Sequence, residues 1–292
     1  MKMNQLACLL LALSAASLAQ AQDAQPAADT QAAAASDAPA ATENTSEHQA
    51  MLPFMRAIAG DHVLPRPYGI GADVFTMHQD YAIDSLAFSL PGFSLPDPSV
   101  VKIKNRLVEE DLKLDAWVFP FLNVFGIYGH LDAQTDVNLS AVTIPQLPVS
   151  LGTLPIRYNG SVYGGGLTLA AGGDHWFASV TGTWTRSSLS GDFDSSVKAR
   201  TIQPKIGWVN GPWQAWVGAM GLHTDEEHTG VIALPYLGNV PFAVKLKQAS
   251  TWSPAIGVHY EMDRFADVTL EFGGGDRRTT LLNVNLRFPR DN

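Results

Sequence analysis

The sequence predicts an all-β chain, a closed antiparallel transmembrane β-barrel of about ten strands (eight to twelve) behind a disordered N-terminal arm. Three observations predict it. From Arg66 to Phe288, apolar and polar residues alternate with period two in segment after segment, as in strands whose two faces meet unlike surroundings. Tight turns alternate with long connections, which gives the strand array two unlike ends. Charged residues are only 16 % of the chain, below the ~25 % usual in soluble domains. No apolar run of about eighteen residues follows the N-terminus to supply a spanning helix.

Residues 1–21 read as a secretory signal. Lys2 gives the charged start, Leu6 to Leu18 the apolar stretch, and Ala19-Gln20-Ala21 the small-residue cleavage site. Cys8 is the one cysteine and lies inside that stretch. Cleavage would leave a mature chain with no thiol chemistry and no need of a disulfide, suited to an oxidising compartment. The whole chain carries a net charge of −9, and losing Lys2 makes it more acidic still, which argues against a nucleic-acid partner.

Residues 22–50 are rich in Ala, Gln, Asp, Ser and Thr and carry no aromatic residue, Lys or Arg. Such a stretch cannot bury enough apolar surface to offset ordering entropy, so it is expected to be a disordered periplasmic linker. Residues 51–65 differ. Pro53 suits a first helical turn, and Phe54 and Ile58 share a face, so a short helix is expected. It would rest at the periplasmic mouth of the barrel or plug its lumen.

The barrel itself is expected over 66–292, with strands near 68–80, 102–118, 122–138, 157–171, 175–187, 197–209, 213–226, 243–261, 265–274 and 279–288. An even count lets the first strand close on the last. In the second strand Leu112, Leu114, Ala116 and Val118 oppose Asp111, Lys113, Asp115 and Trp117. In the third, Phe125, Ile127 and Leu131 are assigned to the lipid, against Tyr128, His130 and Asp132 inside. The fifth sets Trp176, Ala178, Val180 and Trp184 against Ser179, Thr181, Thr183 and Thr185. The sixth sets Ile202, Ile206 and Trp208 against Gln203 and Lys205. In the eighth, Ile256, Val258 and Tyr260 oppose His259 and Glu261; in the ninth, Val268, Leu270 and Phe272 oppose Asp267, Thr269 and Glu271.

The tight turns are Pro120-Phe121, Gly172-Gly173-Asp174, Asn210-Gly211-Pro212 and Met262-Asp263-Arg264; the long connections are 82–101, 139–156 and 227–242. Short turns are expected on the periplasmic side. Aromatics crowd that end, among them Trp117, Phe119, Phe121, Trp176, Trp208, Trp213, Tyr260, Phe265 and Phe288, as in a ring at lipid headgroups.

The last strand alternates cleanly. Leu282, Val284, Leu286 and Phe288 share one face, Leu281, Asn283, Asn285 and Arg287 the other. This strand, closed by an aromatic, resembles the C-terminal signal strand of Gram-negative outer-membrane β-barrels. The resemblance is architectural and covers Arg66 to Phe288. It implies Phe288 as an assembly signal, the barrel assembly machinery as a partner during biogenesis, outer-membrane lipid as the surroundings, and the outer membrane of a Gram-negative bacterium as the destination.

The expected lumen charges are Asp73, Asp111, Lys113, Asp115, Asp132, Lys205, His259, Glu261, Asp267, Glu271 and Arg287, with Asp136 and Lys245 beside them. Acids outnumber bases, which suits a small cation-preferring conduit, or charges that pair off and stiffen the wall. The long connections are apolar and proline-rich, and Phe88, Phe93, Leu147, Leu234 and Tyr236 are expected either to cap the mouth or to form a vestibule for an apolar ligand.

Catalytic residues are not assigned. No Gly-x-Ser-x-Gly elbow is present, and Ser250 or Ser253 with His259 lack the spacing to bring nucleophile and base together on one strand. The run His223-Thr224-Asp225-Glu226-Glu227-His228 matches no established zinc spacing, so neither metal nor cofactor is expected. The leading functional expectation is a non-enzymatic channel or transport protein for small molecules under an apolar loop cap. The alternatives are a hydrolase with its site at the extracellular mouth and a structural or surface-interaction barrel.

Overall fold

A computed structural model describes residues 52–59, 64, 66–88, 101–140, 152–191, 193–234, 238–248, 250–263 and 265–288. The expected signal and linker segments lie outside these residues, as do Phe93, Leu147 and Tyr236 and the side chains of Phe88, Leu234 and Lys245.

Among the described residues, eleven strand segments follow one short 3-10 turn, Arg56–Ala59. They are β1 (Tyr68–Phe88), β2 (Lys102–Phe119), β3 (Leu122–Asn138), β4 (Thr153–Gly172), β5 (Trp176–Gly191), β6 (Phe193–Asn210), β7 (Trp213–Leu234), β8 (Gly238–Gln248), β9 (Trp252–Glu261), β10 (Ala266–Gly273) and β11 (Arg277–Phe288). Every pairing is antiparallel, and β11 closes on β1 from Tyr68↔Phe288 to Gln79↔Arg277. Closure leaves no free strand edge, the condition a sheet must meet to cross a bilayer.

β8 and β9 lie end to end along β7, pairing with its upper and lower halves. They are two segments of one wall position, β8 ending at Gln248 and β9 starting at Trp252, so ten strands surround the turn end. The hairpin β10–β11 is short, and above it β8 takes its place beside β1, from Tyr81↔Gln248 to Phe88↔Phe242. The wall there consists of β1 to β7 and β8, so it narrows from ten strands to eight.

The long connections are shorter than the alternation implies. β1 runs on to Phe88, and β7 and β8 convert most of the expected 227–242 loop into a hairpin. With 20, 16, 18 and 22 residues, β4 to β7 far exceed the ~9–11 that a membrane crossing takes. The surplus stands beyond the membrane on the loop side.

Burial fixes the two faces. Leu112, Leu114, Val180, Ile202, Ile206, Val217, Ile256, Leu282 and Leu286 are all exposed and form the outer band. Tyr68, Trp176, Trp208, Trp213, Phe265 and Phe288 ring its turn end, and Tyr128, Tyr163, Trp184 and Trp252 ring its loop end. On β5 the two rings are eight residues apart, Trp176 to Trp184. That is about 26 Å of strand, or about 20 Å along the membrane normal at the usual tilt of about 40°, close to the apolar band of about 25 Å. An apolar band between two aromatic girdles on a closed antiparallel wall is the build of an outer-membrane β-barrel.

The third strand reverses its expected faces. Register sets Tyr128 beside Leu112, and Asp132 beside Val108, all on the outside. Phe125, Ile127 and Leu131 therefore point inward, while His130 and Asp132 lie 3.8 Å apart on the outside. Asp132 is thus no lumen charge. Its side chain is 64 % exposed. Asp136 is also outside, paired with Arg106 at 3.8 Å.

Near the turn end, the Phe54 ring packs at a tilt against Phe119 with centroids 6.0 Å apart, and its amide donates to the Val118 carbonyl at 2.8 Å. The described part of the entry segment thus sits against the rim of β2.

Candidate functional site, the barrel lumen

The lumen is layered because inward residues change character along each strand. In the lower half they are mostly polar. Arg287 on β11 reaches Asp115 on β2 at 3.2 Å and Asp267 on β10 at 3.6 Å. It passes over β1 at Gly69, where a Cβ would lie 2.2 Å from an Asp115 carboxylate oxygen, so glycine is the residue that leaves room for this bridge. Asn123 on β3 donates to Asp115 at 2.7 Å, Asn285 donates to Asp267 at 3.2 Å, and Asn283 donates to Asp73. Four neighbouring wall strands and β3 are thereby laced together by side chains.

A second bridge spans more of the lumen. Lys205 on β6 donates to Glu271 on β10 at 2.5 Å, across β7 and β9. Trp216 on β7 donates its indole N–H to the same carboxylate oxygen at 3.1 Å, and the Lys205 ammonium lies 5.0 Å from the Trp216 ring centre. The indole occupies the space beside Gly257 on β9, where a Cβ would come within 2.2 Å of it. Glu271 keeps only 3 % of its side chain exposed. A carboxylate so deep needs both donors to offset the loss of water.

His259 shares a hydrogen bond with Thr269 at 2.9 Å and lies 3.8 Å from Asp267 and 3.9 Å from Glu261. Ser253 is fully buried and donates to the Met220 carbonyl at 3.4 Å, so the structure does not bring Ser253 and His259 together. Asp111 is paired in register with Asp73, and Lys113 lies over Gly71.

Glu109 is the lumen acid that alternation alone did not single out; it faces inward two residues before Asp111 and pairs in register with Phe75. Its signal was present, since the inward series of the second strand simply continues through it. The predicted turn-end aromatic Trp117 also faces inward, with a buried indole nitrogen.

At the height of the upper aromatic girdle and above it, the inward side chains become apolar. Leu131, Ala133, Val162 and Leu189 are buried together, with Leu107, Tyr158 and Val197 packed against them. Met77, Met220 and Leu222 are buried on other strands of the wall. Just beyond, Asn105 donates to Thr135 at 2.9 Å and to the Tyr158 hydroxyl at 2.7 Å. Arg277, 1 % exposed, donates to Gln79 at 2.6 Å and to the Ser250 carbonyl at 2.7 Å, which ties β11, β1 and the β8–β9 break together where the wall loses two strands.

No family model matches the chain, and no curated protein matches it. Among solved structures, the transport unit of the autotransporter AIDA-I from Escherichia coli is 11 % identical, with 76 % of this chain and 90 % of that one covered and a TM-score of 0.39. The translocator domain of the autotransporter NalP from Neisseria meningitidis is 9 % identical, covering 80 % and 92 %, with a TM-score of 0.39. The Pseudomonas putida toluene transporter TodX is 10 % identical, covering 80 % and 92 %, with a TM-score of 0.31. Likenesses this partial say nothing about activity.

Proposed function

We propose that this outer-membrane barrel is a non-enzymatic conduit for small polar solutes, closed at rest by the apolar layer near its loop end. The observation that carries the reading is the layering of the lumen: charged and amide side chains below, Leu131, Ala133, Val162 and Leu189 above. A polar lower lumen can hold water and solute, whereas an apolar constriction of small bore excludes both by dewetting until it widens. The narrowing from ten strands to eight near the same level supports this reading, because bore falls with strand number. The acid-rich interior (Asp73, Glu109, Asp111, Asp115, Asp267 and Glu271 against Lys113, Lys205, Arg277 and Arg287) favours cations over anions as the permeating species.

The experiment is single-channel recording in planar bilayers. The unmodified protein is expected to give rare, small openings, and Leu131→Ser with Leu189→Ser to raise open probability severalfold by wetting the layer. Silence from both proteins would overturn the conduit. A second reading, a closed structural barrel, would then stand on the side-chain bridges Lys205–Glu271 and Arg287–Asp115, which brace the wall across the path a solute would take.

Assembly is part of the same proposal. Phe288 ends the outer face of β11 and pairs in register with Tyr68. Phe288→Ala is expected to lower the amount of heat-modifiable folded barrel in outer-membrane fractions; unchanged amounts would remove its role as an assembly signal.

A further inference from the structure

Above the upper aromatic girdle the outer face of the barrel becomes charged, and its cations are not distributed alike. On β2 to β4 several meet partners among the described residues: Arg106 lies 3.8 Å from Asp136, and Arg157 donates to Gln134 at 3.3 Å, while Lys102 and Lys104 stand opposite Asn138 and Asp136 in register. On β5 and β6 the described side chains give them no carboxylate partner. Register sets Arg186 directly beside Lys198, and Arg200 beside Trp184 of the girdle, so three exposed cations share one small patch. Among the described residues no carboxylate lies within ion-pair distance of any of the three; the one polar contact is Arg186 to the Ser196 hydroxyl at 3.3 Å. Asp225, whose side chain lies outside the described residues, is opposite Lys198 in register and His223 is opposite Arg200, so three cations share the patch with one carboxylate position.

Like charges directly opposite on paired strands repel. Such an arrangement is relieved by an anion with several oxygens between the cations, because each guanidinium and ammonium can donate to it. The height of the patch selects the anion. Arg186 is two residues above Trp184, and Arg200 and Lys198 lie two and four residues above Ile202 on the same outer face of β6, so all three stand where the outer leaflet's headgroups begin.

We propose that the outward face of β5–β6 at Arg186, Lys198 and Arg200 binds the phosphate groups of a phosphorylated lipid in the outer leaflet. The lipid's acyl chains lie along the apolar band below, against Val180, Trp184 and Ile202, and its phosphate bridges the three cations. This site depends on the orientation of the barrel in the membrane and not on whether the lumen conducts.

The test uses the full-length barrel reconstituted in phosphatidylcholine vesicles, with lipid A, bearing its two phosphates, added as the probe. Dephosphorylated lipid A and free inorganic phosphate are the comparison arms. Phosphorylated lipid A is expected to bind and its dephosphorylated form to bind far less. The triple variant Arg186→Gln, Lys198→Gln, Arg200→Gln is expected to lose about a hundredfold in affinity, about fivefold per cation. The variant Lys102→Gln, Lys104→Gln, Arg106→Gln removes the same charge elsewhere on the outer wall and is expected to change binding less than about threefold. All six positions are exposed, so folding is checked by heat-modifiable mobility and is expected to be intact. Equal losses in the two triple variants would reduce the effect to net charge and overturn the site. Displacement of the lipid by inorganic phosphate, or equal binding of the dephosphorylated lipid, would overturn the lipid assignment.

Discussion

Val217→Arg is expected to cost about 2–4 kcal/mol of barrel stability and to strip most folded protein from the membrane. Val217 lies midway along the lipid-crossing part of β7, between Trp213 at the lower girdle and Gly221, which pairs with Trp252 at the upper one. Its neighbours in the sheet are Ile206 and Ile256, and all three are more than half exposed, which in a barrel means that lipid touches them. An arginine there would need to carry its charge into hydrocarbon or reach about 10 Å to either headgroup layer. His223→Arg, on the same face of the same strand but above the girdle, is expected to cost about 0–1 kcal/mol. Urea unfolding in lipid vesicles measures both. Equal stability of the two variants would show that the outer face of β7 is not in a bilayer.

The second large effect is inside. Lys205→Met removes the cation from Glu271 and leaves a deeply buried carboxylate with the Trp216 indole as its remaining donor. Breaking one side of such a pair costs about 3–5 kcal/mol, because the surviving charge is uncompensated. Adding Glu271→Gln to that variant is expected to restore most of the loss. The amide carbonyl still accepts from Trp216, and no bare charge remains. The cycle is read from unfolding midpoints of the two single variants, the double variant and the parent. If Lys205→Met alone is as stable as the parent, the bridge across β7 and β9 contributes nothing to holding the wall.

Several strands were legible because their outer faces are apolar and their inner faces are not. β5 sets Trp176, Ala178, Val180 and Trp184 against serines and threonines, and β11 sets Leu282, Val284, Leu286 and Phe288 against asparagines and Arg287. Contrast of that kind names the lipid side directly. In β3 the contrast exists but its meaning is inverted. Leu131 packs inside with Val162 and Leu189, whereas His130 and Asp132 stand outside above the girdle. Period-two alternation reports only that two faces differ; it names the lipid side only where the lumen is polar throughout, and this lumen is not.

The same limit applied along the length of the strands. Past the membrane the alternation gives way to mixed runs, Ala82 to Phe88 and Val231 to Leu234, that lead into proline-containing stretches, so the ends of β1 and β7 read as loops. The structure keeps them paired, because a strand whose neighbour also continues still satisfies its backbone hydrogen bonds.

By itself, then, the sequence determined a closed antiparallel wall of about ten strands with a short-turn end, because alternation, turn residues and girdle aromatics are local properties that neighbours in the chain reveal. The tertiary structure alone decided which face of β3 meets lipid, where ten strands become eight, and which lumen charges meet. Lys205 and Glu271 are 66 residues apart and Asp115 and Arg287 are 172 apart. Their meeting is fixed by barrel closure and register across intervening strands, and closure is a property of the whole ring that no segment of the chain carries alone.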